Sequence, residues 1–302
     1  MSDQPVSSPD QRTRHPALAP YLALAAGVVG IAWAAIFVKW AGVPGVASAF
    51  WRLLIATAVL LPWQGRRLPL ADRPRPVALA ALAGIFFALD LAFWNSGLLY
   101  TSAANATLLA NTAPVWVGIG TVVILRERLS GWFWLGMAIA LAGAALILGG
   151  DLLHPAAGAR LGAGDLLALA AGLFYGSYFL AAGRVRAVLD TPTVMTIATA
   201  AGAGTLLIGS LVLHAPLAGY APASWLALLG LGLISQLGGV QCINYALGHL
   251  PAAVVSVTLL AQPVLVALLG VLLLAEPLGP AQVAGGLLVI GGIYLVHRRG
   301  RG

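Results

Sequence analysis

Long apolar runs, separated by short polar segments, make up almost the whole chain. Ten runs have roughly the 18–24 residues that a helix needs to cross a bilayer. We predict transmembrane spans at Leu18–Val38, Gly45–Leu61, Val77–Ser96, Ala103–Leu125, Trp132–Leu148, Asp165–Ala182, Thr193–Leu213, Ser224–Leu247, Ala252–Leu274 and Pro280–Val296. Because no segment between them is long enough for a soluble domain, the pattern predicts an all-α membrane protein with ten transmembrane helices.

Composition agrees with lipid as the surrounding solvent. Of 302 residues, 60% are hydrophobic and 8% are charged, whereas a soluble domain has about 25% charged residues. So few charges cannot cover a water-facing surface. The lipid bilayer is therefore the first expected partner.

The basic residues predict the orientation of the chain. With the N-terminus in the cytoplasm, 13 of the 16 lysines and arginines fall inside, 2 fall outside and Arg52 lies within a span. This bias predicts a multi-pass protein of the inner (plasma) membrane with both termini cytoplasmic. It also accounts for the net charge of +7 without a nucleic-acid partner, because the basic side faces anionic headgroups.

The two halves of the chain share features at a constant separation of 149 residues. The matching sets are Asn95 with Asn244, Pro114 with Pro263, Glu127 with Glu276, and Gly136 and Gly143 with Gly285 and Gly292. Since each half has five spans, an odd number, the second copy must enter the membrane inverted. We therefore predict two inverted five-helix repeats, an architecture typical of transporters that work by alternating access.

Two stretches carry a family resemblance. Thr107–Leu148 and Ser256–Leu295 each combine a mid-span proline, a glutamate followed two residues later by leucine, and spaced glycines. Both resemble the C-terminal part of an EamA domain of the drug/metabolite transporter superfamily, and the similarity runs from about Leu18 to Val296. The resemblance implies a central cavity between the repeats, and its members export amino acids, other metabolites or drugs, while some relatives are exchangers or uptake carriers.

On this basis the chain divides into five segments. We expect a disordered cytoplasmic tail at 1–17, a first EamA-like repeat at 18–149 and an external linker at 150–164. The second repeat is expected at 165–297, followed by a short cytoplasmic tail at 298–302.

The mid-span prolines are candidates for gating. Pro114 and Pro263 each remove a helix hydrogen bond and free the carbonyl four residues earlier. A freed carbonyl within a span must face protein or a cavity. Each proline is therefore either a hinge or binding contact, or a static kink.

Two charges, Arg52 and Asp90, fall within predicted spans. At about 1.5 Å per residue both lie roughly 9–11 Å from the outer surface, which allows an ion pair. They are candidates for a gate or for proton coupling, or else for a structural pair or an arginine that reaches outward. The second half has no matching charges, so this pair belongs to one repeat.

Four amides are candidates for substrate binding. Asn111 and Gln262 lie beside the mid-span prolines, where they can contact a polar substrate group or simply satisfy the freed carbonyls. Asn95 and Asn244 lie near opposite membrane faces if the repeats are inverted. Their alternative role is helix-end capping or hydrogen bonding between helices.

Two aromatic residues are also candidates. Trp33 and Tyr178 follow the repeated segment LALAAG at the same spacing, so they can form cavity walls or belong to an interfacial belt. Runs five and ten, with spaced glycines and few polar side chains, are expected to be packing helices away from the cavity or at a contact in a homodimer.

The motifs needed for other functions are missing from the sequence. There is no phosphate-binding glycine-rich loop and no cluster with metal-ligand spacing, so we expect no cofactor, no metal and no enzymatic activity. The sequence predicts a secondary transporter that exports a small metabolite, amino acid or drug, its small-molecule substrate, by alternating access. The alternatives are a lipid or polyprenyl-carrier flippase and, as a weaker one, an integral-membrane enzyme, which needs ionisable residues clustered at one interface.

Overall fold

The computed structural model describes residues 18–64, 68, 72–97, 100, 103–148, 162–274 and 279–299. The predicted tail at 1–17, most of the predicted linker at 150–164 and residues 300–302 lie outside this part. Within it the chain is all-α, and ten helical spans are long and apolar enough to cross a membrane. The predicted fold class is therefore confirmed.

The spans are numbered one to ten along the chain. They are span one, α1 (Leu18–Ala41); span two, α2 (Gly45–Gln64); span three, α3 (Pro74–Gly97); span four, α4 (Ala103–Ala110) with α5 (Ala113–Val123); span five, α6 (Gly131–Leu148); span six, α7 (Ala163–Arg186); span seven, α8 (Thr191–Val212); span eight, α9 (Pro222–Gly230), a π-helix (Leu231–Val240) and α10 (Gln241–Leu247); span nine, α11 (Ala252–Thr258), a 3-10 turn (Leu259–Ala261) and α12 (Gln262–Leu274); and span ten, α13 (Pro280–Arg299).

The outer faces of the spans are strongly apolar. Leu211, Leu226 and Leu272 are 64%, 70% and 78% exposed, which is the arrangement expected where lipid replaces water. Inside the bundle, several hydroxyl side chains are satisfied within their own helix. The hydroxyls of Thr196 and Thr199, for example, donate to carbonyls one turn earlier in their own helix, each at 2.8 Å.

Spans four and nine are both interrupted next to their prolines. In span four the helix stops at Ala110 and restarts at Ala113, one residue before Pro114. In span nine a 3-10 turn precedes Gln262 and Pro263. A proline is well tolerated in the first turn of a helix because its missing N–H has no partner there, so each interruption lies where its proline predicts it.

The ten spans have two ends, which can be identified from contacts. The rings of Tyr21 and His297 lie 5.7 Å apart, and the Ser130 hydroxyl donates to the carbonyl of Arg299 at 3.2 Å. Both ends of the described chain therefore lie together, at what we call the terminal end. The opposite end, called the distal end, holds the Asn95 amide, which donates to the carbonyl of Gly45 at 3.0 Å.

Spans five and ten are in direct backbone contact. A Cβ built at Gly143 would lie 2.5 Å from the carbonyl oxygen of Gly285, and one built at Gly136 would lie 2.8 Å from that of Gly292. Only residues without a side chain allow two helices to approach so closely. Gly143 meets Gly285 and the earlier Gly136 meets the later Gly292, so the two spans run antiparallel.

The two halves interleave and do not form separate bundles. Span one packs on spans eight and nine, and span six packs on spans three and four. Span two contacts span eight, and span three contacts span seven. Further cross-contacts join spans two and seven, four and nine, five and nine, and five and ten. The interior between the halves is where the cavity lies.

Candidate functional site

A cavity of about 760 Å³ lies between the two halves of the bundle. Its walls combine apolar and polar side chains from both halves. The polar residues among those that line it are Ser48, Arg52, Asp90, Asn95, Thr107, Asn111, Tyr175, Gln262 and Gln282. A mostly apolar cavity with a few converging polar groups is the usual form of a small-molecule site.

The cavity occupies the distal half of the bundle. Val38, Asn95, Leu148 and Gln282 line it close to the distal ends of their spans. Its innermost lining residues, such as Tyr175, lie near mid-span. The described residues that line the cavity come from the distal half of their spans or from near mid-span.

Arg52 lies on the cavity wall and is held from two directions. Its Nε donates to the Gln236 side-chain oxygen at 2.7 Å, and its Cζ lies 5.5 Å from the centroid of the Phe87 ring. Only 8% of its surface is exposed. A charged hydrogen bond and an aromatic face together fix the orientation of the guanidinium.

Asp90 lines the same cavity and is also 8% exposed. The ion pair that the similar depths of Arg52 and Asp90 allow is nevertheless not formed. Within the described ranges, no carboxylate oxygen lies within 4.0 Å of a guanidinium nitrogen of Arg52. The two charges share a cavity without neutralising each other directly.

The sequence analysis missed the polar lining residues Ser48, Thr107 and Gln282, and it also missed Gln236, which holds Arg52 from behind the cavity wall. Gln236 is 1% exposed and lies in the π-helix of span eight, a rare geometry that often marks functional positions. The available signal was a glutamine in the middle of the apolar run LGLISQLGGV, since polar side chains are costly there. Nothing in the local sequence indicated that it would face Arg52.

Three of the four predicted amides line the cavity. Asn111 lies in the interruption of span four, Asn95 lies near the distal end of span three, and Gln262 begins the second helix of span nine. The Gln262 side-chain nitrogen lies 3.5 Å from the carbonyl oxygen of Ile31, at the limit for a hydrogen bond. Pro263 also lines the cavity.

Asn244 and Tyr178 instead pack together in the terminal half. Asn244 Nδ2 donates to the Tyr178 hydroxyl at 2.5 Å and to the carbonyl of Val240 at 3.0 Å. Both side chains are buried. Tyr175 lines the cavity one turn away, with its ring parallel to that of Tyr178 at a centroid distance of 6.0 Å.

Trp33 and Pro114 also lie outside the cavity lining. The Trp33 ring stacks on Phe37, with centroids 5.9 Å apart. Pro114 is buried in the first turn of α5. A role of these two residues in binding or gating stays a prediction.

The distal ends of spans five and ten correct one expectation. Both spans were expected to be packing helices, either away from the cavity or at a contact in a homodimer. Their glycines do pack against each other, but Ile147 and Leu148 at the end of span five and Gln282 at the start of span ten line the cavity. The reason is that the glycine spacing identifies the face on which the two helices pack, but it does not show what the turns at the distal ends contact.

The site has the chemistry of binding. Across the described residues there is no group of three or more His, Cys, Asp or Glu side chains that could hold a metal ion. What the cavity offers is one cation, one anion, several amides and hydroxyls, and apolar walls. These groups can recognise a small molecule with polar and apolar parts.

A family model described as the EamA-like transporter family matches residues 18–149 and 162–298, nearly the whole chain. The chain belongs to this family. It is therefore a multi-pass membrane transporter with a small-molecule substrate, and the resemblance stated from its sequence is confirmed.

Two relatives and one solved structure are similar over most of this EamA-like transporter. An uncharacterized transporter of Archaeoglobus fulgidus is 30% identical over 92% of this chain and 98% of its own. A probable terminal-alkyne amino-acid exporter of Streptantibioticus cattleyicolor is 30% identical over 85% of each chain. A structure described only as "Crystal structure of protein" superposes with a TM-score of 0.78 at 22% identity, covering 95% of this chain and 100% of that one. The last similarity shows a shared fold.

Proposed function

We propose that this EamA-like transporter is a secondary transporter that exports a small metabolite, amino acid or drug across the inner membrane by alternating access. The observation that carries the proposal is the one-sided cavity, which is lined by residues from the distal end to mid-span, while Asn244 and Tyr178 pack together in the terminal half. Alternating access requires such a site with one closed side. The exporter among its relatives supports the direction of transport.

The proposal includes two inverted repeats, at 18–149 and 165–297, joined by an external linker at 150–164. The contacts between spans support it. A two-fold axis relating the repeats would exchange each span with the span five places away in the chain. The contact between spans one and eight would then correspond to that between six and three, one and nine to six and four, and two and eight to seven and three. All six of these pairs are in contact. The pairs two–seven, four–nine and five–ten map onto themselves, as a two-fold axis requires.

Asn95 and Asn244 are proposed to be corresponding substrate-binding residues of the two repeats. Asn95 lines the open distal half, whereas Asn244 is fully buried in the closed terminal half, against Tyr178. In the opposite conformation their environments would exchange, so Asn244 would line the cavity. The substrate-binding roles proposed for Asn111, Gln262, Trp33 and Tyr178, and the hinge roles of Pro114 and Pro263, belong to the same cycle.

Orientation follows from the charge distribution. With both termini cytoplasmic, as the inside bias of the basic residues favours, the distal end faces outward and the cavity is open to the outside. A homodimer is also part of the proposal. Spans five and ten leave Leu135, Leu287 and Tyr294 exposed, and this face would supply the contact.

A lipid or polyprenyl-carrier flippase is the second candidate function. The observation that favours it is Arg52, a cation on the cavity wall that could meet an anionic head group. Against it, Arg52 is the one basic residue among the described residues that line the cavity, so there is no basic cluster to bind a head group. An integral-membrane enzyme is favoured by no comparable observation.

The test is a substrate-panel efflux assay in cells that overexpress the protein, with Gln262→Ala and Trp33→Ala as site variants. Thr205→Val is the matched control, because the Thr205 hydroxyl donates to Ala201 in its own helix at 2.9 Å and does not line the cavity. We expect the wild type and the control to lower the accumulation of at least one solute and Gln262→Ala to do so less. Failure to move any solute under any imposed gradient would contradict the proposal.

A further inference from the structure

Two opposite charges line one cavity without pairing, and this is the feature that carries a further inference. Arg52 and Asp90 are each 8% exposed, so their charged ends have little contact with bulk water. In the described part of the chain, the guanidinium of Arg52 makes one hydrogen bond, through Nε to Gln236. The carboxylate of Asp90 has no hydrogen-bond partner among the same residues.

This arrangement is costly for a purely structural pair. A charged side chain within a span is energetically costly, and a buried charge left without its partner is strongly destabilising. A structural pair would recover part of that cost through a direct ion pair. Arg52 and Asp90 do not, so the missing partner of each charge is expected to come from a ligand.

The guanidinium leaves its binding edge free. Gln236 occupies Nε, and Phe87 lies against the group at 5.5 Å. The two terminal nitrogens of Arg52 remain, and their parallel N–H groups match a carboxylate in two-pronged geometry. Oriented in this way, Arg52 is a receptor for a planar anion.

Asp90 is placed to receive a cation from the same molecule. It lies three residues after Phe87 in span three, so the two side chains are neighbours on one helix face. Since Arg52 lies against Phe87, the positive and negative groups are neighbours on the cavity wall. Such an arrangement suits a compact molecule with both charges near one end.

The rest of the cavity is suited to an apolar group. Ile31, Leu91, Trp94 and Val266 line it beside the charged pair. With a volume of about 760 Å³, the cavity has room for a side chain as large as an aromatic ring. Its walls therefore distinguish a charged end from an apolar end of the ligand.

We propose that Arg52 and Asp90 form a binding subsite for a small zwitterion, whose carboxylate binds Arg52 and whose ammonium binds Asp90. The apolar remainder of the ligand lies along Trp94 and Leu91. Gln236 is a positioning residue that holds Arg52 in place. This inference rests on the proposed transport function and names the substrate class at its cavity.

The test measures binding to the purified full chain in lipid nanodiscs, by calorimetry, with three matched probes. They are L-phenylalanine, L-phenylalaninamide, which has no carboxylate, and N-acetyl-L-phenylalanine, which has no ammonium. We expect L-phenylalanine to bind at least ten-fold more tightly than either blocked probe. Equal binding of the three probes, or binding of none, would overturn the proposal without any variant being needed.

Two variants that each remove one charge assign the two binding groups. Asp90→Asn should remove the preference for L-phenylalanine over its N-acetyl derivative, and Arg52→Gln should remove the preference over the amide. Thr205→Val is the matched control, since the Thr205 hydroxyl donates to Ala201 in its own helix at 2.9 Å and Thr205 does not line the cavity, and it should keep both preferences. If each variant lowers the affinity for all three probes equally, Arg52 and Asp90 do not bind separate groups of the ligand and the proposal fails.

Separate outcomes distinguish this inference from the transport proposal. If the wild type exports a solute but does not discriminate among the probes, the subsite is wrong and transport stands. If the probes are discriminated but no solute moves, the subsite stands and transport is wrong. If Asp90→Asn keeps both preferences and only alters the pH dependence of transport, Asp90 is a proton-coupling group and the zwitterion proposal is overturned.

Discussion

A methyl group added at Gly292 should force apart spans five and ten. Gly292 is buried, and a Cβ built there would lie 2.6 Å from the amide nitrogen of Ala140 and would also overlap the carbonyl oxygen of Gly136. Both are backbone atoms, which cannot rotate out of the way. Gly291, the preceding residue of the same helix, has no atom within 4 Å of such a Cβ.

The comparison of Gly292→Ala with Gly291→Ala isolates the contribution of helix–helix packing to the free energy of unfolding. Replacing glycine by alanine inside a helix stabilises it by about 0.5–1 kcal/mol, and this gain is common to both variants. Non-bonded heavy atoms prefer about 3.5–4.0 Å, so a contact of 2.6 Å requires the helices to move apart by about 1 Å. Overpacking of this kind costs about 1–3 kcal/mol, which is the expected difference between the two variants.

The assay is thermal unfolding of the purified protein in detergent, followed by tryptophan fluorescence. Gly291→Ala should unfold at or slightly above the wild-type Tm, and Gly292→Ala several degrees below it. Equal Tm values for the two variants would refute the reasoning, because they would mean that the backbones of spans five and ten do not meet at this position.

Three further predictions concern single hydrogen bonds. Tyr178→Phe removes the acceptor of the Asn244 amide and should lower the free energy of unfolding by about 0.5–1.5 kcal/mol; an unchanged value in chemical unfolding would contradict this. Gln236→Leu leaves the Nε of Arg52 without its partner and should cost about 1.5–3 kcal/mol, while Gln236→Glu, which keeps an acceptor, should recover most of the Tm. Asp190→Ala removes the N-cap of span seven at a cost of about 1 kcal/mol; Asp190→Asn should retain the wild-type Tm, and equal losses in both variants would argue against capping.

The spans were predictable because one physical requirement dominates them. A chain in lipid must satisfy its backbone within helices, so apolar length alone identifies each crossing. The differences are at the ends, where polar residues prolong helices that hydropathy truncates. Span one continues to Ala41 beyond the predicted Val38, and span ten continues to Arg299 beyond the predicted Val296.

The composition of the cavity was only partly predictable. The sequence identified Arg52, Asp90, Asn111 and Gln262. Polar groups within spans are energetically costly, so those that occur usually have a function. The partners of these residues were not identified, since contacts between distant spans depend on packing angles that no local pattern encodes. Gln236, for example, is 184 residues from the side chain that it holds.

Arg52 is a single residue in a duplicated chain, and its contacts suggest why it needs no counterpart. It lies against Phe87 and donates to Gln236, and these two positions are themselves 149 residues apart, the separation that relates the repeats. Under the inverted-repeat proposal, a side chain that touches both members of a corresponding pair lies close to the two-fold axis. Two arginines there would crowd and repel each other, so one must suffice. A group close to the axis therefore stays near the binding site whichever side is open.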